Sequence, residues 1–188
     1  MNETLKRALS GAVYVAIMWM GTSYFELSFH ILFSVILVAC LYEMLKLRKG
    51  KTKILAFIYV LAPLLLVHLY TQKIILFIFI LTWTFDTFAY LFGVKFGKHK
   101  IMPSISPKKS WEGFSGGFAF TILASYLSYS YFGFHSFHEV LIISIILPFT
   151  ATLGDFIESY YKRQSGVKDS GNFIPGHGGM LDRMDAFM

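Results

Sequence analysis

The chain has 188 residues, 55% of them hydrophobic, 18% aromatic and only 15% charged, which is more apolar surface than one soluble core of this size can hide. That excludes a soluble globular domain. The net charge of +6 suits anionic headgroups and phosphates, no nucleic-acid partner is expected, and the single cysteine, Cys40, excludes a disulfide framework or a cysteine-based metal site.

A helical span needs about 20 mostly apolar residues, and six stretches qualify in turn: Ala8–Tyr24, Leu27–Leu45, Ile54–Tyr70, Ile74–Phe92, Phe114–Phe132 and Val140–Ile157. Lys6 and Arg7 ahead of the first resemble the start of a signal peptide, but no small-x-small cleavage site follows, so it reads as a span. Pro63 and Pro148 fall inside two spans, where neighbouring groups can satisfy the carbonyls they free. The connections at 25–26, 71–73 and 133–139 leave no room for a separate soluble domain. The expectation is an all-α, polytopic membrane bundle of about six full transmembrane helices plus the start of a seventh, residues 1–188 forming one membrane-embedded catalytic domain.

Basic residues give the orientation. Of the 17 Lys and Arg residues, 16 fall on one side of this arrangement and only Lys73 on the other, so by the positive-inside rule both termini and the two basic loops face the cytoplasm. The run at 46–53 needs no further role than topology and anionic lipid. Glu43, Asp86 and Asp155 lie within or beside spans, where a carboxylate costs roughly 2.5–3.5 kcal/mol on insertion scales. A structural ion pair with a loop lysine is the plain account of any one of them. Asp155, at the mouth of a polar segment, reads more readily as a site residue.

Two cytoplasmic segments carry chemistry. In the first, Ser106-Pro107-Lys108-Lys109-Ser110-Trp111-Glu112-Gly113 sets paired cations, hydroxyls and a rigid turn at the entrance to a helix, an arrangement suited to a phosphate; a basic interfacial loop anchored by Trp111 is the alternative. In the second, Lys162, Arg163, Lys168 and Arg183 are phosphate-binding groups beside Asp169, Asp182 and Asp185. Asp182 and Asp185 are three apart and share a helix face; with Asp155 they could hold one or two Mg²⁺ ions against phosphate oxygens. Gly176, Gly178 and Gly179 around His177 let backbone approach a nucleotide closely.

The pattern Ser159-x-x-Lys162-Arg163-x4-Lys168-Asp169-x-Gly171-x2-Ile174-Pro175-x-His177-Gly178-Gly179-Met180-x-Asp182-Arg183-Met184-Asp185 resembles the signature of the phosphatidate cytidylyltransferases, or CDP-diacylglycerol synthases. The stretch Asp86 to Gly117 resembles the same family's second characteristic region. Tyr161 stands where the family usually has an aliphatic residue. The family is typically longer, and its Asp-Arg-x-Asp segment leads into a further membrane helix where only Ala186, Phe187 and Met188 remain, so a chain truncated at its C-terminus is expected.

The resemblance implies transfer of the cytidylyl group of CTP to phosphatidic acid with Mg²⁺, at the bacterial inner membrane, with the active site cytoplasmic and a tendency toward homodimers. It assigns Asp155, Asp182 and Asp185 to metal and catalysis, and Lys162, Arg163, Lys168 and Arg183 to CTP phosphates. Lys108 and Lys109 go to the lipid phosphate, although the same pair could equally serve CTP. Asp86, Trp111, Asp169, His177, Gly178 and Gly179 complete the expected substrate site. A CDP-alcohol phosphotransferase pattern is not matched. A small transporter or channel for anionic solutes would explain Asp86 and the prolines but not the HGGxxDRxD segment, and a scaffold on anionic lipid would explain only the basic loops.

Overall fold

The computed structural model describes residues 3–47, 53–173 and 178–188. Its helices follow the expected stretches: α1 (Glu3–Ser23), α2 (Glu26–Leu47), α3 (Lys53–Leu66) with a 3-10 turn at Val67–Leu69, α4 (Gln72–Phe96), α5 (Trp111–Ser128) and α6 (Phe137–Gln164). A short α7 (Leu181–Met184) runs into a 3-10 turn at Asp185–Phe187. α2, α4 and α6 are long and apolar enough to cross a membrane, while the apolar parts of α1 and α3 are shorter. The protein is therefore a nearly all-α membrane protein with three candidate spans among the described residues. Helix continues through Pro63 and Pro148.

The chain divides into two compact units, one comprising residues 1–76, 157–186 and 188, the other residues 77–156 and 187. In the first, α2 buries Phe29, Phe33, Ile36, Cys40, Glu43, Met44 and Leu47. Apart from the adjacent pair Glu43 and Met44, those positions recur every three or four residues, one face of a helix. The other face exposes Ile31, Val35, Val38 and Tyr42, as apolar residues facing lipid would. Since lipid is as apolar as leucine, the buried face is held by close packing, and Ala56, Val60 and Leu64 of α3 and Met18 of α1 join it in the core.

In the second unit α4 and α5 meet backbone to backbone. A Cβ at Gly113 would lie 2.6 Å from the Ala89 carbonyl oxygen and 3.1 Å from the Gly93 Cα, so a larger residue there would force the helices apart. Phe88 and Phe120 stack at 3.7 Å, and Phe149 of α6 packs against Phe114 and Phe118.

Between α4 and α5 the chain makes an antiparallel hairpin, β1 (Lys100–Met102) with β2 (Ser106–Ser110), in the register Lys100 to Ser110 and Met102 to Ser106 with an irregularity between. The rigid turn expected within 106–113 is instead a strand, and the expected helix entrance follows it directly. Pro107 is tolerated because a two-stranded hairpin is all edge. Ser110 then caps α5, its hydroxyl accepting the Gly113 N–H at 3.2 Å, so β2 passes into the helix without a loop.

Candidate active site

The second unit holds a cavity of about 540 Å³ between α4, the hairpin, the start of α5 and α6, within the usual range for small-ligand sites. Lys100, Lys108 and Lys109 bring three cations to it, and Asp86 and Asp155 two carboxylates. The Lys109 ammonium pairs with Asp155 Oδ2 at 2.6 Å, each side chain about a quarter exposed. Gly93, Gly97 and Gly113 are among its lining residues, where their lack of side chains lets α4 and α5 close on each other and on Ser110. Trp111 is not part of the lining; it is 54% exposed and meets Phe114 edge-on.

Glu112 fixes the hairpin to α5. Its carboxylate accepts the N–H groups of Lys98 and His99 at 3.1–3.2 Å and pairs with His99 Nδ1 at 2.6 Å. Hydrogen bonding to its own backbone N–H and to the His99 side chain pushes its pKa down to about 2. A carboxylate depressed in the folded protein adds stability that is present above its unfolded pKa, about 4.3, and is lost as pH falls through about 2. A carboxyl-carbon NMR titration of Glu112 is expected to show the charged form throughout pH 3–7; a midpoint near 4.3 would contradict the pairing.

The first unit holds a second cluster of charge. The Lys162 ammonium bonds to the carboxylates of Glu158, one turn earlier on α6, and of Asp182 at 2.8 Å. Side-chain exposure is 10% for Lys162, 0% for Glu158 and 8% for Asp182. Asp182 Oδ2 accepts the N–H groups of Gly179 and Ser170 at 2.7 and 2.8 Å and faces the Ser170 hydroxyl at 3.0 Å. Burial alone would raise the pKa of Asp182, but the bonds from Lys162 and the Gly179 N–H outweigh it and hold the carboxyl below its usual range. Gly178 has φ +85°, a conformation glycine adopts freely and one that turns the chain into α7.

Glu158 was not among the residues expected from the sequence. Its Oε1 is buried without a hydrogen-bond partner, and its carboxylate lies within 4.8 Å of that of Asp185. Two carboxylates so close, one with an orphaned oxygen, suit a hard divalent cation with oxygen ligands. Asp155 precedes Glu158 by three residues on α6. The spacings Asp155 to Glu158 and Glu158 to Lys162, three and four along a helix, were the available signal.

Arg163, Lys168, Asp169 and Arg183 are exposed, and Arg163 donates to the Val167 carbonyl at 3.1 Å. Gly178 and Gly179 sit against Asp182 through backbone. His177, with Ile174, Pro175 and Gly176, lies outside the described residues.

Residues 54–188 match the family model described as the cytidylyltransferase family. Among curated proteins, the chain is 47% identical over 117 residues to a phosphatidate cytidylyltransferase of Staphylococcus epidermidis, covering 62% of this chain and 45% of that protein. It is 49% identical over 115 residues to the enzyme of that name in Staphylococcus saprophyticus, covering 61% and 44%, and 46% identical over 115 residues to that of Staphylococcus aureus, again 61% and 44%. The chain thus matches less than half the length of these relatives.

Proposed function

The chain belongs to the cytidylyltransferase family, and from that premise we propose that it transfers the cytidylyl group of CTP to phosphatidic acid, giving CDP-diacylglycerol and pyrophosphate. The observation that carries the reading is a cavity lined by Lys100, Lys108, Lys109 and two aspartates inside the region the family model matches. The relatives' printed name supplies the substrates.

In this reaction a phosphate oxygen of the lipid forms a bond to the α-phosphorus of CTP as the bond from that phosphorus to the bridging oxygen of the β-phosphate breaks, and the electron pair leaves with pyrophosphate. No protein nucleophile is needed; the protein contributes position and electrostatic stabilisation. Lys108 and Lys109 hold the lipid phosphate at the cavity. Arg163, Lys168 and Arg183, exposed and cationic, hold CTP phosphates, with Asp169, His177, Gly178 and Gly179 beside the nucleotide and Asp86 and Trp111 at the headgroup level. Asp155, Asp182 and Asp185, joined by Glu158, would hold Mg²⁺, which when bound offsets charge on the phosphates. The orphaned Glu158 oxygen, within 4.8 Å of the Asp185 carboxylate, supports those two members of the set. Lys162, with its ammonium on Glu158 and Asp182, orders the carboxylates. A second copy of the chain and the lipids of a bacterial inner membrane complete the proposed partners.

Membranes containing the chain, given CTP, phosphatidic acid and Mg²⁺, should form a CDP-lipid; absence of product would overturn the reading.

The site faces the cytoplasm in this proposal, with six helices crossing and both termini inside. Cys40 is buried and gives little background, so a cysteine in place of exposed His135 should be labelled by an impermeant reagent outside intact cells. One in place of exposed Val167 should not. The reverse pattern would contradict a cytoplasmic CTP site.

A further inference from the structure

We propose that Glu43 is a positioning residue for the C-terminal half of the site, an inference that rests on the reaction assigned above. Glu43 lies on α2, ahead of the region 54–188 that the family model matches, and is only 5% exposed. A buried carboxylate without partners is strongly unfavourable. Glu43 instead accepts three hydrogen bonds from the two ends of the glycine-rich segment. Oε1 takes the Met180 N–H at 3.0 Å, and Oε2 takes the Leu181 N–H at 2.9 Å and the Ser170 hydroxyl at 2.7 Å.

Two features make this a built contact. Met180, the residue that opens α7, supplies no side-chain cap, so the free N–H groups at that end are satisfied by Glu43 from a distant part of the chain. The approach also depends on missing side chains: a Cβ at Gly171 would lie 2.6 Å from Glu43 Oε1, and one at Gly179 would lie 2.3 Å from Oε2. Both glycines belong to the segment that carries the charged site residues.

The consequence passes through Ser170, whose hydroxyl faces both Glu43 and Asp182 while its N–H donates to Asp182. Glu43 thereby fixes the turn that presents the Ser170 and Gly179 N–H groups to Asp182, and Asp182 fixes Lys162 against Glu158. Glu43 touches neither reactant and acts through these groups.

Glu43→Gln tests this in the full chain, because the amide keeps the volume but turns an N–H₂ toward groups that are themselves donors. Hydrogen exchange of the peptides covering 170–173 and 178–182 should quicken about tenfold or more, with α3 unchanged. The kcat for CDP-lipid formation should fall about 10- to 100-fold, as when outer-shell partners of a site are lost, while the KM for phosphatidic acid stays within about twofold of wild type. Ser170→Ala, which removes one donor and keeps Glu43 bonded to backbone, should show the same pattern more weakly and serves if the Gln variant does not fold. Unchanged exchange would overturn the inference, as would quickened exchange with unchanged kcat. An active wild-type chain with either of those results removes the role of Glu43 alone. An inactive wild-type chain with quickened local exchange removes the assigned reaction and leaves the anchoring by Glu43 standing.

Discussion

Replacing Asp185 by Asn is expected to lower turnover about 1,000-fold, equivalent to about 4 kcal/mol of transition-state stabilisation. The Asp185 carboxylate lies within 4.8 Å of Glu158, whose Oε1 is buried and unpartnered, and a hard cation needs charge as well as oxygen from that pair. Asn keeps the size of the side chain and, through Oδ1, the bond from the Ala186 N–H at 2.8 Å, so the last turn of the chain should hold. The measurement is kcat across a Mg²⁺ titration beside Asp169→Asn, since Asp169 is exposed and is placed beside the nucleotide, where its loss should fall on the KM for CTP and not on turnover. Near-normal turnover in the Asp185 variant would end the metal assignment, and an equal loss at Asp169 would mean a wider site.

Lys162→Met is expected to cost about 3–5 kcal/mol of folding stability, because removing one member of a buried ionic cluster strands the others. Here the stranded groups are Glu158 and Asp182, with side chains 0% and 8% exposed. The neighbouring Arg163→Ala should change stability by less than about 0.5 kcal/mol, as for most exposed positions, and should raise the KM for CTP about tenfold through loss of a charge-assisted phosphate contact. Reversible unfolding in detergent with increasing denaturant separates the two variants, and equal midpoints would contradict the division between a structural lysine and a substrate-binding arginine.

The difference in burial between the two was not legible in the sequence, where Lys162 and Arg163 stand side by side and carry the same charge. Burial separates them, and burial at the end of a polar, glycine-rich segment follows no periodicity. The helices were legible because mostly apolar stretches of 17 to 19 residues leave few alternatives in lipid; the stretch Leu27–Leu45 became α2 with its ends moved by one and two residues. The hairpin at 100–110 was not legible. Ser106-Pro107-Lys108-Lys109-Ser110 has no alternation of apolar and polar residues, and the strand is held by pairing and by Glu112 rather than by a buried face. Glu43 was visible as a carboxylate in an apolar run, which marks a partner without naming it. The partners, Ser170, Met180 and Leu181, lie more than 120 residues away.

The most direct test of the assigned chemistry is the fate of the CTP phosphates. With purified protein, phosphatidic acid and Mg²⁺, label in the α-phosphate of CTP should enter the lipid product, and label in the γ-phosphate should appear only in pyrophosphate, one per lipid formed. Lipid carrying the γ-label would mean phosphoryl transfer in place of cytidylyl transfer, and label in neither product would contradict the account altogether.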